Sequence, residues 1–247
     1  MNSYCVAFMI LSLLQHYNKI IVFMQIHSLE GHSFSGKTTM AAALAKDPSV
    51  ELISGYTFYS RKLGVTPPLG LPHSLEEARR CFDYFLGLEY HRSQDSVKAA
   101  TLGRKVLQDK SVISLYAYQR ARSVYDSQPT DVTVPNYALE RVHEAIRKGN
   151  VILPSTIGVM ACATEQVYDA RKDRRGPVKQ NAVFNDWRFS LLLTGVTLES
   201  ALLFVGDDKR IMKYESTDET SNFAEIYGDL TGLMGIESRY DSNIDRT

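Results

Sequence analysis

The chain has no excess of either charge: 28 Lys and Arg stand against 28 Asp and Glu in 247 residues. That balance gives no general attraction to nucleic acid, although a neutral total can conceal a local basic site. Cysteine is scarce. Cys5, Cys81 and Cys162 are scattered, with neither metal-ligand spacing nor the even count of a disulfide framework, which points to buried thiols in a reducing, cytoplasmic compartment. Long hydrophobic runs are missing too. Cys5 to Leu14 is largely apolar, but Ser12 interrupts it and Gln15-His16 close it, so no stable transmembrane segment is expected. The same stretch lacks a basic front end and a small-residue cleavage site, which argues against a signal peptide. A peripheral membrane contact is its other reading. There is no internal repeat and no low-complexity domain.

Against these absences one stretch stands out: Gly31-His32-Ser33-Phe34-Ser35-Gly36-Lys37-Thr38, with the G-x-x-x-x-G-K-[ST] spacing of a phosphate-binding P-loop. Apolar residues precede it (Ile20 to Phe23, then Ile26 and Leu29) and a helix-compatible run, Thr38 to Ala45, follows. Strand, loop, helix is the context the motif needs. Backbone N–H groups from Gly31 through Thr39, at the loop and helix N-terminus, are expected to hold phosphate oxygens. Lys37 is expected to reach the β- and γ-phosphates of ATP and Thr38 to coordinate Mg²⁺.

Periodicity and breakers organise the remainder. Residues 1–23 read as an extension, 24–236 as one kinase-like domain and 237–247 as a frayed tail. Five strands are expected: Gln25–Gly31, Val50–Ile53, Lys105–Gln108, Val151–Leu153 and Ala201–Val205. The first helix should end near Asp47-Pro48. Gly55 to Pro72, rich in Gly and Pro, reads as a loop. Ser74-Leu75-Glu76-Glu77 has capping-box spacing ahead of an apolar helical face (Ala78, Cys81, Phe82, Phe85, Leu86, Leu88). Further helices are expected over Asp95–Leu102, Ser111–Tyr125, Tyr137–Lys148, Thr164–Lys172 and Ala182–Leu193, with a break at Gln128–Asp131. Ser216-Thr217-Asp218-Glu219 offers a second capping box before a last helix to about Leu230. Strands alternating with helices imply an α/β fold with a mainly parallel five-stranded sheet, a P-loop NTPase architecture whose phosphate site lies beyond the C-terminal strand ends.

Beyond the loop, Phe85-Leu86-Gly87-Leu88-Glu89-Tyr90-His91-Arg92 and Val106-Leu107-Gln108-Asp109-Lys110-Ser111, continuing through Ser114 to Ala117-Tyr118-Gln119, resemble the thymidylate kinase family of P-loop nucleotide kinases. In that family an aromatic-rich helix ends in an acid–arginine pair, and a strand ending in Asp-Arg leads to a Ser-x-x-Ala-Tyr-Gln helix. The resemblance implies that Asp109 binds Mg²⁺ through water or orients the acceptor; helix capping or a local ion pair is its bland role. Lys110 stands at the arginine position, as a point charge for acceptor phosphate or as a surface ion pair. Tyr118 and Gln119 are the implied nucleobase contacts. Phe82 and Phe85 read as core first, with Phe85 also a floor for the base. Arg61 falls in the stretch comparable to the family's Arg-Glu-Pro-Gly-Gly loop, whose Glu and Pro are missing here. Tyr90 stands where the paired arginine belongs, and Arg92 is its displaced substitute. Arg171, Arg175 and Gly176 match the family's Arg-x-x-x-Arg-Gly lid, placed here near 171–179; a solvated basic turn is the alternative.

The resemblance implies Mg²⁺-ATP-dependent phosphoryl transfer to a nucleoside or nucleoside monophosphate, with Lys37, Asp109, Arg171 and Arg175 at the reacting phosphates and Thr38 and Asp109 at the metal. A homodimer is also implied. The competing expectation is a nucleotide-dependent switch or adaptor without small-molecule kinase activity. Absence of an Asn-Lys-x-Asp motif weighs against its GTP form.

Overall fold

The computed structural model describes residues 25–68, 72, 74–125, 133–178 and 182–237. The expectations for 1–23, for Gln128–Asp131 and for the last residues of the tail lie outside these. A parallel five-stranded sheet has the order β2-β3-β1-β4-β5, with β1 Ile26–Gly31, β2 Val50–Ile53, β3 Lys105–Asp109, β4 Thr156–Cys162 and β5 Ile211–Ser216. The α/β expectation is met. Helices α1 (Lys37–Leu44) and α8 (Thr220–Met234) cover one face, where Leu29, Leu107, Met160 and Tyr214 meet Met40, Leu44, Ile226 and Leu230. The other face carries α3 (Leu75–Thr101), α4 (Val112–Tyr125), α5 (Thr133–Arg147) and α7 (Trp187–Val205). Phe82, Leu86, Ile113, Val142, Ile157, Val159 and Ala201 form its core. The chain leaves β1 for β2, returns to β3 between them, then crosses to β4 on the other side of β1. That reversal is where open α/β sheets leave a crevice beyond the strand ends.

Six expectations are corrected. The stretch 55–72 holds a short helix, α2 (Tyr56–Lys62): no Gly or Pro interrupts 56–63, buried Tyr59 anchors it through a 2.6 Å hydrogen bond to Asp95, and Gly64 ends it at φ +66°. Helix α3 runs unbroken from its Ser74 cap through residues expected in a separate helix. Its second half buries polar Glu89, Arg92, Ser93 and Ser96, so hydrophobic periodicity fades while the helix continues. Val151–Leu153 is a buried connection rather than a strand, with the Ile152 N–H donating to Ser93 Oγ. Pro154 ends the run, and the strand forms at Thr156–Cys162.

The Ala182–Leu193 helix and Ala201–Val205 strand are replaced by a 3₁₀ turn (Ala182–Asn185) and one 19-residue helix, α7, capped by Asp186 and stopped at Gly206 in the left-handed region. A short apolar run cannot by itself distinguish strand from buried helix. Among the described residues α7 alone is long and apolar enough to cross a membrane. One side of it packs into the fold, with Thr194, Thr197 and Ser200 buried and hydrogen-bonded one turn back, while Leu191, Leu202 and Leu203 are exposed. The fifth strand lies further on, at Ile211–Ser216, an edge strand with Lys213 and Glu215 exposed. Ser216 therefore caps nothing: it ends β5, its hydroxyl 2.8 Å from Ser35 O and 2.9 Å from Ala161 O, and α8 starts without a side-chain cap.

Candidate functional site

β1 delivers the chain to Gly31 at φ +121°, where a Cβ would lie 2.0 Å from the Met160 carbonyl oxygen of β4. Only glycine passes. The loop closes through Phe34 (φ +65°) and Gly36 (φ +91°), and α1 starts at Lys37 with no side-chain cap. Its first-turn N–H groups lack intrahelical acceptors, the arrangement that binds anions. Side chains inside the loop hold its shape. Ser35 donates to His32 O at 3.0 Å, and Lys37 Nζ donates to His32 O at 2.5 Å and Ser35 Oγ at 3.1 Å. His32 accepts the Cys162 N–H on Nε2 at 3.0 Å, leaving Nδ1–H for Ser33 O. Its ring sits beside Tyr168 and Trp187. Burial, then the Lys37 charge, lowers its pKa to about 3, so His32 is a neutral strut. Phe34 is buried edge-on to Tyr168. Lys37 is itself buried, and burial first, Lys110 second, pushes its pKa down to about 7.

One cavity of about 1270 Å³ opens beyond the strand ends. Ser33, Phe34, Gly36, Lys37, Thr38 and exposed Thr39 line its loop end, whereas Gly31, His32 and Ser35 lie behind that surface. β3 brings Asp109 to the same place, its Oδ2 accepting from Thr38 Oγ1 at 3.3 Å. Hydroxyl and carboxylate oxygens are the donor set that Mg²⁺ takes, completed by water and phosphate. Next to Asp109, Lys110 adopts φ +67°, its N–H bonded to Leu29 O at 3.0 Å. Among the described residues no carboxylate pairs with the Lys110 ammonium; the Phe184 ring lies 5.9 Å from it. Glu30, fully buried just before the loop, accepts from Ser111 and Ser114.

The far end is walled by helix stripes. α4 presents Ser114, Tyr118 and Arg122 alongside Leu115, Gln119 and Ser123, one turn apart, and α3 presents Leu75, Ala78, Cys81 and Phe85. Tyr118, Gln119 and Phe85 thus share the cavity. Arg61 does not: it is exposed on α2 and absent from the lining. Cys162 is buried and Cys81 half-buried.

Two of the three arginines of α6 (Glu165–Arg175), Arg171 and Arg175, separate. Arg171 is held by the protein: Nε on Asp218 at 2.9 Å, Nη1 on Phe34 O at 3.1 Å and Ser216 Oγ at 2.8 Å, and Nη2 on Thr217 O at 2.5 Å. Arg175 lines the cavity with Gly176, and among the described residues no carboxylate pairs with it. Arg92 was the displaced substitute for a cavity-facing arginine; it is fully enclosed and lines nothing. Phe184, tilted against Tyr118 at 5.4 Å, and Glu30 were not anticipated. Glu30 directly precedes the loop, which is its only sequence signal; Phe184 has none.

Fold and loop together have a P-loop NTPase-like α/β architecture. Among solved structures the chain has the fold of thymidylate kinases. That from Candida albicans is 16% identical with a TM-score of 0.59, over 85% of this chain and 91% of that one. That from Ehrlichia chaffeensis is 12% identical with a TM-score of 0.51, over 86% and 99%. NadR, solved in complex with NAD and AMP-PNP, is 12% identical with a TM-score of 0.54, over 89% of this chain and 52% of that one. No family model matches the sequence, and no curated protein does. At these identities the likeness establishes the fold.

Proposed function

We propose that this protein transfers the γ-phosphoryl group of Mg²⁺-ATP to a nucleoside monophosphate. The observation that carries the reading is a single cavity that joins Lys37 and Thr38 to Asp109 and Lys110 and continues between Phe85, Tyr118 and Gln119. Lys37 and the first turn of α1 hold the donor phosphates. Thr38 and Asp109 hold Mg²⁺, which neutralises charge on the phosphate oxygens when bound. Lys110 holds the acceptor phosphate, and Arg175, at the end of the lid, faces the transferring group. Arg171 acts behind the loop by bracing Phe34 to the β5 end. Gln119 meets a base edge, and Phe85 and Tyr118 flank the ring. The bond from the γ-phosphorus to the β–γ bridging oxygen breaks as a new bond forms to an acceptor phosphate oxygen, giving a nucleoside diphosphate and ADP.

The monophosphate is favoured over the nucleoside by charge. An alcohol must lose a proton to become a phosphate ester, whereas a phosphate acceptor arrives ionised. Among the described residues lining the cavity, Asp109 is the sole carboxylate and no histidine lines it, while Lys37, Lys110, Arg122 and Arg175 are cationic. Asp109 is already engaged with Thr38.

The test is Mg²⁺-ATP phosphotransfer across ribo- and deoxynucleosides and their monophosphates, with Lys37→Ala as control. Diphosphate product that falls about 100-fold or more in the control is expected, the cost of losing a group that stabilises developing charge. Phosphorylated nucleosides would overturn the acceptor assignment. Tight nucleotide binding without product, together with nucleotide-dependent capture of a protein, would replace the kinase reading with an adaptor.

A further inference from the structure

Arg92 is the largest fully buried side chain described, yet it sits directly under the Asp109–Lys110 corner. Its Nε donates to Ser54 O at 3.0 Å, past the end of β2, and its Nη2 donates to Asp109 O at 3.0 Å and Lys110 O at 2.5 Å, at the end of β3. Nη1 pairs with Glu89 Oε2, one helical turn earlier on α3 and equally enclosed. The Tyr56 ring, whose hydroxyl donates to Ser111 O at 3.0 Å, covers the guanidinium at 4.6 Å and separates it from the cavity that Tyr56 lines. One planar fork thus ties the ends of two neighbouring strands. It grips both carbonyls of the dipeptide whose side chains face Thr38 and the cavity.

We propose that Arg92, charge-balanced by Glu89, is a positioning residue: it fixes the backbone of Asp109 and the left-handed turn at Lys110, and so the directions of the metal-side carboxylate and the acceptor-side ammonium. The proposal rests on the reading of Asp109 and Lys110 under the proposed function. A non-glycine residue at φ +67° persists when its surroundings over-determine it. Here the surroundings are the Lys110 N–H on Leu29 O and the Arg92 fork on the two carbonyls. A fixed fork can span those acceptors; an ammonium cannot.

Two variants test this in the full chain. Arg92→Lys keeps the charge beside Glu89 and loses the fork. Glu89→Leu with Arg92→Met replaces the buried pair by apolar groups, a change that folded proteins commonly tolerate. With thymidine monophosphate and the other monophosphates as acceptors, kcat is expected to fall about 10- to 100-fold in both, as small misplacements of reacting groups do. KM for ATP should stay within about twofold, because the donor loop does not contact Arg92. Hydrogen exchange at the Lys110 amide should quicken about tenfold or more while the α1 amides keep their protection. Wild-type kcat in either variant overturns the proposal, as does a loss of activity that only follows a loss of folded protein. If the wild-type protein phosphorylates no monophosphate, the proposed function falls. Exchange at Lys110 then decides alone: unchanged protection in Arg92→Lys removes the clamp, and selective loss of it upholds it.

Discussion

The two ends of the cavity are built by different means. The loop end is one contiguous stretch, Gly31 to Thr39, shaped by its own glycines and by short bonds among His32, Ser35 and Lys37, with Cys162, Arg171 and Ser216 bracing it from behind. The Lys110 end is assembled from β3, α2, α3, α4 and the turn at Phe184, and its backbone is held by Arg92 from beneath. A backbone-built site is local and tolerates distance from any one partner; a site made of side chains on separate elements depends on all of them arriving.

The largest effect that would sharpen this contrast is at the seam between the ends. Asp109→Asn keeps an oxygen acceptor for Thr38 but removes the charge, so turnover should fall about 100- to 1000-fold with little change in Tm. Full turnover in that variant would break the assignment of Asp109.

Next come Arg171 and Arg175, the two arginines of the proposed lid, which sequence spacing treats alike and the structure does not. Arg175→Ala should lower kcat about 100-fold and leave Tm within about 1 °C. Arg171→Ala removes bonds to Phe34, Ser216, Thr217 and Asp218 and should cost ~1–3 kcal/mol, or roughly 2–10 °C in Tm. Thermal scans beside steady-state rates separate the two. Equal losses in rate and stability for both would erase the distinction.

The last effect, the one that leaves turnover aside, is in pH. His32 and His27 have pKa values lowered to about 3 and about 4, in both cases chiefly by burial. Both are neutral in the folded and unfolded chain above pH 6.5. Below it the unfolded chain takes up protons that the folded one refuses, so stability falls as pH drops from 6.5 towards those values, by ~1 kcal/mol per pH unit for each histidine. The urea midpoint of the ligand-free protein should decline between pH 6.5 and 5, and less steeply in His32→Asn. A midpoint flat over that range would show that these rings are not kept neutral by burial.

Legibility followed the same divide. The loop, α1, β2, β3 and α4 could be read because turn chemistry and apolar period agree within each segment. The second half of α3 could not, because Arg92 and Glu89 break the apolar face and their partners, Ser54 O, Asp109 O and Lys110 O, lie far along the chain. Ala201–Val205 misled for the opposite reason: an apolar run fits a strand or a buried helix equally until its neighbours are known. Arg61 and Arg171 were placed by likeness of spacing, and spacing does not say whether a guanidinium meets the cavity, the solvent or its own backbone.

By itself the sequence determined the alternation of strand and helix from β1 through α4, the loop geometry demanded by Gly31 and Gly36, and the placing of Asp109-Lys110 at a strand end. These are set by φ/ψ limits and by apolar period over a few residues. Only the tertiary structure decided that Thr38 and Asp109 stand 3.3 Å apart, that Arg175 lines the cavity while Arg171 is bonded to Phe34, Ser216, Thr217 and Asp218, and that Arg92 donates to the Asp109 and Lys110 carbonyls from beneath. Each of those depends on where a long, charged side chain finds carbonyls and carboxylates from distant segments. Desolvation makes that pairing obligatory for a buried charge, and no local pattern records the partner.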